Sequence, residues 1–272
     1  MAPDDLDALL HTARAAVEAA SHAALRHWRR TLRVERKADR SPVTAADREA
    51  EAAVLALVRR RFPHDAVLAE ESGATPGETG RRWIVDPLDG TRGFARGGTF
   101  WGPLVAVERE GTVLAGAMAL PALGETYWAA RGQGAFRDGH ALWVTDQGAW
   151  PEAVLSLGEL PHLLHGPFAP AVETLIQSAG QARCYGDLAA CALLLNGRAD
   201  VWLESGVAPW DLAALHVLVE EAGGRCTDFT GGTGLAAGQA LAAGPVLHAH
   251  ALAVLEGTES VSPPAPDGHP RR

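Results

Sequence analysis

Three separated segments of the chain place carboxylates where they could share one ligand. In WIVDPLDGTRGF, residues 83 to 94, an apolar run ends at Asp86, and Asp89 follows across Pro87-Leu88. Pro87 fixes its own φ and donates no backbone hydrogen bond, while Gly90 permits a tight backbone path. Such a turn can aim Asp86, the Leu88 carbonyl and Asp89 at one point, an all-oxygen set that suits a hard cation such as magnesium. Gly90 and Thr91 come next, bringing backbone N–H groups and a hydroxyl of the kind that bind phosphate. The plainer alternative is an Asp-Gly turn between two strands; the second spaced aspartate and the threonine weigh against it.

In AEESG, residues 69 to 73, Glu70 and Glu71 follow the apolar run AVLA. Side chains alternate across a strand, so at most one of the two is expected in a site. In PWDLAALHVLVEEAGG, residues 209 to 224, Asp211 precedes a helical stripe of Leu212, Leu215, Leu218, Val219 and Ala222. An N-cap is an adequate structural explanation of that aspartate. If the four carboxylates converge, each pair at about 4 Å costs roughly 4 kcal/mol at an effective dielectric of ~20, so cations must offset the repulsion. Divalent ions would also let a phosphate dianion approach an acidic protein.

The elements that must position these groups follow from periodicity. Leu6, Leu9, Leu10, Ala13, Val17, Ala20 and Leu25 form the stripe of a helix within residues 4 to 30, and Thr44 to Arg61 forms a second that stops before Phe62-Pro63. From residue 67 short apolar runs bounded by Gly, Pro and Asp predict strands, with a hairpin turn at Glu108-Arg109-Glu110-Gly111. Residues 1–145 read as an α+β half carrying the metal-binding turn. After about residue 145 strands and helices alternate, so 146–257 reads as an α/β half supplying Asp211, and the Pro-rich stretch 258–272 as a frayed tail.

The formal net charge is −9 and no dense basic block occurs beyond Arg59-Arg60-Arg61, which argues against a nucleic-acid binder. No apolar run reaches the about 18 residues that a membrane span needs, and the acidic start MAPDDLDALL is no signal sequence, so a soluble, cytoplasmic protein is expected. Cys184, Cys191 and Cys226 lie far apart without a CxxC pair and read as buried, reduced thiols. The eleven histidines are scattered and read as surface residues.

AEES, DPLDGT and WD, in this order, resemble the signatures of the inositol monophosphatase superfamily, with matching element order over roughly residues 8 to 256. Ala69 stands where the family usually has Gly. The resemblance implies an α/β fold, a layered αβαβα sandwich of the inositol monophosphatase/fructose-bisphosphatase type. It implies two or three Mg2+ ions held by Glu70, Asp86, the Leu88 carbonyl, Asp89 and Asp211, and phosphate contact at Gly90 and Thr91. Asp47, in SPVTAADRE, matches a family aspartate that supports Thr91. The implied mechanism is in-line attack of an activated water on phosphorus without a covalent intermediate, the water being oriented or deprotonated by Glu70 and by Thr91 backed by Asp47. A homodimer is also implied.

Within the superfamily, TRGFARGGTFWG looks more like the histidinol-phosphatase branch, although Thr99 departs from a Pro often found in both branches. Asp187 in YGDLAA and Glu204 in WLESGVAPWD could pair with the cationic amine of histidinol phosphate, while Asp187 reads equally well as a helix N-cap. The expectation is a phosphomonoesterase acting on a small phosphorylated alcohol, histidinol phosphate first. Inositol 1-phosphate or a broad range of sugar and nucleotide phosphates are the alternatives. A non-enzymatic metal- or phosphate-binding protein would bind magnesium and release no phosphate.

Overall fold

The computed structural model describes residues 5–30, 34–36 and 42–257. Helix α1 (Leu6–Leu25) is followed by a short antiparallel ribbon, β1 (Glu35–Arg36) and β2 (Pro42–Val43), and by helix α2 (Ala45–Arg61). Then come β3 (Ala66–Ala69), β4 (Gly73–Thr75), β5 (Arg81–Asp89), the short helix α3 (Thr91–Ala95), β6 (Gly102–Arg109), β7 (Thr112–Leu120), β8 (Glu125–Ala130), β9 (Gly134–Arg137) and β10 (His140–Ala141). The remainder runs β11 (Val154–Leu157), α4 (Leu160–Leu163), α5 (Ala169–Ser178), β12 (Gln181–Arg183), α6 (Asp187–Leu195), β13 (Val201–Ser205), α7 (Pro209–Glu221), β14 (Arg225–Thr227), β15 (Gln239–Ala243) and α8 (Pro245–Leu255). The tail expected at 258–272 lies outside the described residues.

Eight strands form one sheet in the order β10-β9-β8-β7-β6-β5-β3-β4, antiparallel except between β3 and β5. Five form the other, β12-β11-β13-β15-β14, where β11 is parallel to both its neighbours and β15 runs against β13 and β14. Among the described residues a small apolar cluster of Ala24, Ala46, Leu88, Phe94 and Trp101 lies beside α3, and three larger ones fill the spaces between the layers. Ala13, Val17 and Ala20 of α1 and Val54 of α2 pack on Trp83, Val85 and Val105 at one face of the first sheet. Leu188 and Leu194 of α6 and Leu215 and Leu218 of α7 lie between the sheets, against Ile84, Leu104 and Trp202. Val172 and Leu175 of α5 and Leu247 and Ala251 of α8 cover the outside of the second sheet. The layers are α, β, α, β, α, as expected.

Local chemistry explains the elements that hold the candidate residues. Asp5 caps α1 by accepting from the Ala8 N–H (3.0 Å), and alanines at the buried positions let that helix approach α2 and the sheet closely. Thr44 caps α2, which ends as expected at Phe62. Along β5 the side chains alternate: Trp83 and Val85 face α1 and α2, Ile84 faces α7, and so Asp86 falls on the inter-sheet side. The β5–β6 register shifts between the Asp86 and Asp89 pairs, where Pro87 has no N–H to donate to the ladder.

Some local expectations need correction. Cys191 and Cys226 are buried free thiols, but Cys184 is exposed because it follows the end of edge strand β12. His216 and His248 are buried, on the inner faces of α7 and α8, rather than at the surface. The His248 ring pairs with the Thr227 hydroxyl at 2.9 Å, and burial, with help from the Arg225 charge, pushes its pKa down to about 4. The run Glu108–Gly111 does turn a hairpin, with Glu110 and Gly111 both at positive φ.

Helix α7 sits close to β7 because Gly116 has no side chain: a Cβ there would lie 3.0 Å from both Ala214 Cα and Val217 Cγ1. Gly116→Val should destabilise the protein by about 1–3 kcal/mol through overpacking, read as a lowered midpoint in urea unfolding. An unchanged midpoint would show that α7 does not depend on this contact.

Candidate active site

The broken ladder at the end of β5 builds the centre of the site. Asp86, 2% exposed, accepts from the Leu88 N–H through Oδ1 at 2.8 Å, which curls the chain so that Asp89 follows on the same side. Asp89 Oδ2 accepts from the Leu188 N–H at 2.7 Å and ties this turn to the start of α6. Asp211 is the third residue of α7, and its Oδ2 accepts from the Ala208 N–H at 2.7 Å. The N-cap is therefore Ala208 and not Asp211; Asp211, at the third helical position, supplies only the reciprocal half of a capping box by accepting from the N-cap's own N–H. Carboxylate oxygens of Asp86, Asp89 and Asp211 lie within 4.8 Å of one another.

Glu70 approaches from the neighbouring strand. Its N–H donates to the Val85 carbonyl (3.1 Å) just beyond the end of β3, and its charge raises the pKa of both Asp86 and Asp211. Glu71 turns away: its N–H donates to Glu51 Oε2 at 2.9 Å, and it lines a separate cavity beside Arg48. The two glutamates diverge in the turn after Ala69, not by strand alternation.

Gly90 holds φ +77°, and a Cβ there would lie 2.7 Å from the Phe100 carbonyl, so only glycine fits between β5 and α3. The Thr91 hydroxyl lies 3.0 Å from Asp47 Oδ1 and 2.9 Å from the Leu88 carbonyl. Asp47 is fully buried, and its Oδ2 accepts from both the N–H and the hydroxyl of Thr44 (2.7 and 2.6 Å). The start of α2 is thus linked to the Asp86–Thr91 turn through one carboxylate.

Beside this centre lies a cavity of about 150 Å³ lined by Asp89, Glu159, Asp187, Trp202, Glu204 and Asp211 among others. Glu204 is 1% exposed and its Oε2 accepts from Trp202 Nε1 (2.7 Å) and the Asp187 N–H (3.1 Å). Asp187 opens α6 as its first residue, after the N-cap Gly186, so its side chain is not the expected cap. Glu159 has no counterpart among the expected site residues. It and Asp187 both hold left-handed backbone, φ 45° and 51°, which a non-glycine residue keeps only where its surroundings impose it. The one signal for Glu159 in the sequence is its place after the strand-end Gly158, which packs directly on the Glu204 carboxylate.

Burial, then the neighbouring carboxylates, pushes Asp86 and Asp89 well above the usual range. Burial likewise raises Asp211 and Asp187 to about 6 and Glu204 to about 8. A buried cluster of this kind fits a hard divalent cation: its donors are all oxygens, without thiol or imidazole among them, and a cation would remove the penalty that holds the protons on.

A profile described as the inositol monophosphatase family matches residues 5–259. The chain belongs to this family. It is a phosphoric monoester hydrolase of the inositol monophosphatase fold. A histidinol-phosphatase of Chlorobaculum parvum is 40% identical over 213 residues, 78% of this chain and 82% of that protein. An inositol-1-monophosphatase of Mesorhizobium japonicum is 37% identical over 206 residues, 74% and 77% of the two chains. The solved inositol monophosphatase of Anabaena superposes with a TM-score of 0.81 at 29% identity, covering 96% of this chain and 99% of its own.

Raised carboxylate pKa values give a signed expectation. Glu204 goes from an ordinary 4.5 to about 8 on folding, so the stability it permits is complete below pH 4.5 and is lost as pH rises through 8. Glu204→Gln, which cannot ionise, should stabilise the chelator-treated protein above pH 8, by about 5 kcal/mol at most, and change little below pH 4.5. Urea unfolding at both pH values reads the difference; an equal effect at both would refute the raised pKa.

Proposed function

We propose that this family member is a magnesium-dependent phosphatase that hydrolyses histidinol phosphate to histidinol and phosphate. The observation that carries the substrate is the cavity of Glu159, Asp187 and Glu204 beside the carboxylate centre: an ammonium group entering it would favour the ionised form of carboxylates that burial otherwise holds protonated, whereas a neutral polyol only accepts or donates hydrogen bonds. Magnesium would be held by Glu70, Asp86, the Leu88 carbonyl, Asp89 and Asp211. When bound, it supplies Lewis-acid polarisation of water and of the phosphoryl and leaving oxygens.

The chain's own groups do the rest. The amides of Gly90 and Thr91 donate to equatorial phosphate oxygens and fix the phosphoryl group. Thr91, its hydroxyl held by Asp47, orients the attacking water, and Glu70 faces the same centre as the second group able to take a proton from it. Asp187 and Glu204 bind the amine end of the alcohol and set which ester bond lies in line. Inositol 1-phosphate is the competing reading, favoured by the resemblance to the Mesorhizobium protein and by the capacity of the same carboxylates to accept from hydroxyls.

Phosphate release from histidinol phosphate, inositol 1-phosphate, fructose 1,6-bisphosphate and adenosine 3′,5′-bisphosphate, with and without magnesium, tests this directly. Histidinol phosphate should show the highest kcat/KM, and all activity should vanish with chelator; equal rates across the panel would refute the substrate. Asp86→Asn should abolish turnover in a folded protein. Asp187→Asn should raise KM for histidinol phosphate about tenfold and leave inositol 1-phosphate little changed, the worth of one charge-assisted hydrogen bond.

A further inference from the structure

An anion has to reach a centre that is ringed by carboxylates, in a chain of formal charge −9. Next to that centre the sign of the surface reverses. Arg36 of β1 and Arg92 and Arg96 at α3 line one cavity of about 370 Å³ together with Val34, Pro42 and Ala95. The i, i+3, i+4 spacing of Arg92, Ala95 and Arg96 sets them on one side of the α3 turn, and the β1–β2 ribbon supplies the opposite wall. All three arginines are exposed. Among the described residues none of them has an acidic partner, whereas Arg48, which lines the neighbouring cavity with Arg36, pairs with Glu35.

The position of this cavity gives it a role. Arg92 directly follows Thr91, and Pro42 lies two residues before Thr44, whose partner Asp47 also accepts from Thr91. The basic cavity therefore adjoins the turn assigned to phosphate. Guanidinium groups stay charged at every working pH and match phosphate oxygens in a planar, two-pronged geometry. Left unpaired, they offer a phosphate dianion a first stop where the carboxylates alone would repel it.

Resting on the phosphatase reading, we propose that Arg36, Arg92 and Arg96 form a capture site for the phosphate dianion of the substrate, from which it passes to Gly90 and Thr91. These arginines are positioning residues: they govern the rate of productive encounter and not the bond-breaking step. The same chemistry would accept free inorganic phosphate, so the test must separate the two sources.

The variant R36Q/R92Q/R96Q is compared with R60Q/R61Q, which loses two like charges at the far end of α2, a helix of 17 residues and so about 24 Å long, outside both cavities that Arg36 lines. Initial rates with histidinol phosphate and p-nitrophenyl phosphate across a range of salt give kcat and kcat/KM, and calorimetry with inorganic phosphate on the magnesium-loaded full chain gives a binding constant. In the first variant kcat/KM should fall about 10-fold at low salt, its dependence on salt should flatten, and kcat should change less than about twofold. The second variant should resemble the unmodified protein. The proposal is overturned if the first variant keeps its kcat/KM and salt dependence, if both variants lose equally, or if only inorganic phosphate binding weakens while turnover of the esters is unaffected. Absence of phosphate release from any ester by the unmodified protein would refute the phosphatase reading instead; unchanged phosphate binding in the first variant would then refute the capture site on its own.

Discussion

Mutual repulsion among Asp86, Asp89 and Asp211 is the constraint around which the rest of this structure is arranged. Their oxygens approach within 4.8 Å, where each ionised pair costs roughly 3 kcal/mol at an effective dielectric of ~20. Each is pinned by a backbone N–H: Leu88 to Asp86, Leu188 to Asp89 and Ala208 to Asp211. Those donors belong to the irregular last residues of β5, the start of α6 and the start of α7. The cluster is thus held by backbone donors of the chain itself, and burial together with mutual repulsion raises the carboxylate pKa values. Ligands oriented in this way suit a small, strongly hydrated ion.

The layered fold serves this end. The middle helical layer touches both sheets, so α6 and α7 can bring their first turns to the edge of β5 while their apolar faces close the core. Two helices, α2 and α7, each use the aspartate at their third position to satisfy the N–H before the helix, and in both cases that aspartate also belongs to the site. Capping therefore does not compete with the roles proposed for these two aspartates. The interior is acidic and the rim at α3 is basic, which lets a negatively charged chain handle negatively charged molecules without a basic surface overall.

Much of this was legible in the sequence, for identifiable reasons. Pro87 and Gly90 announce that a strand must break between two aspartates, and the helical stripe after Asp211 announces the element that carries it. The partnership of Asp47 with Thr91 was readable only through the family resemblance, because 44 residues separate them and nothing local connects them. Glu159 was not legible: its role depends on β11 and β13 bringing Gly158 against Glu204, a long-range pairing that periodicity does not reveal. His216 and His248 looked like surface residues because polar side chains usually are, and only the packing of α7 and α8 removes them from water. The placement of Glu70 relative to Glu71 likewise depended on a turn whose shape two adjacent glutamates do not specify.

Calorimetric titration of magnesium into the full chain near pH 7, repeated in buffers of different ionisation enthalpy, tests the central claim most directly. Carboxylates held at raised pKa values by burial and by one another must lose their protons when a divalent cation enters. Binding should be accompanied by net proton release, and the release should diminish as the starting pH is raised. Absence of binding, or binding with no proton release at any starting pH, would contradict the claim.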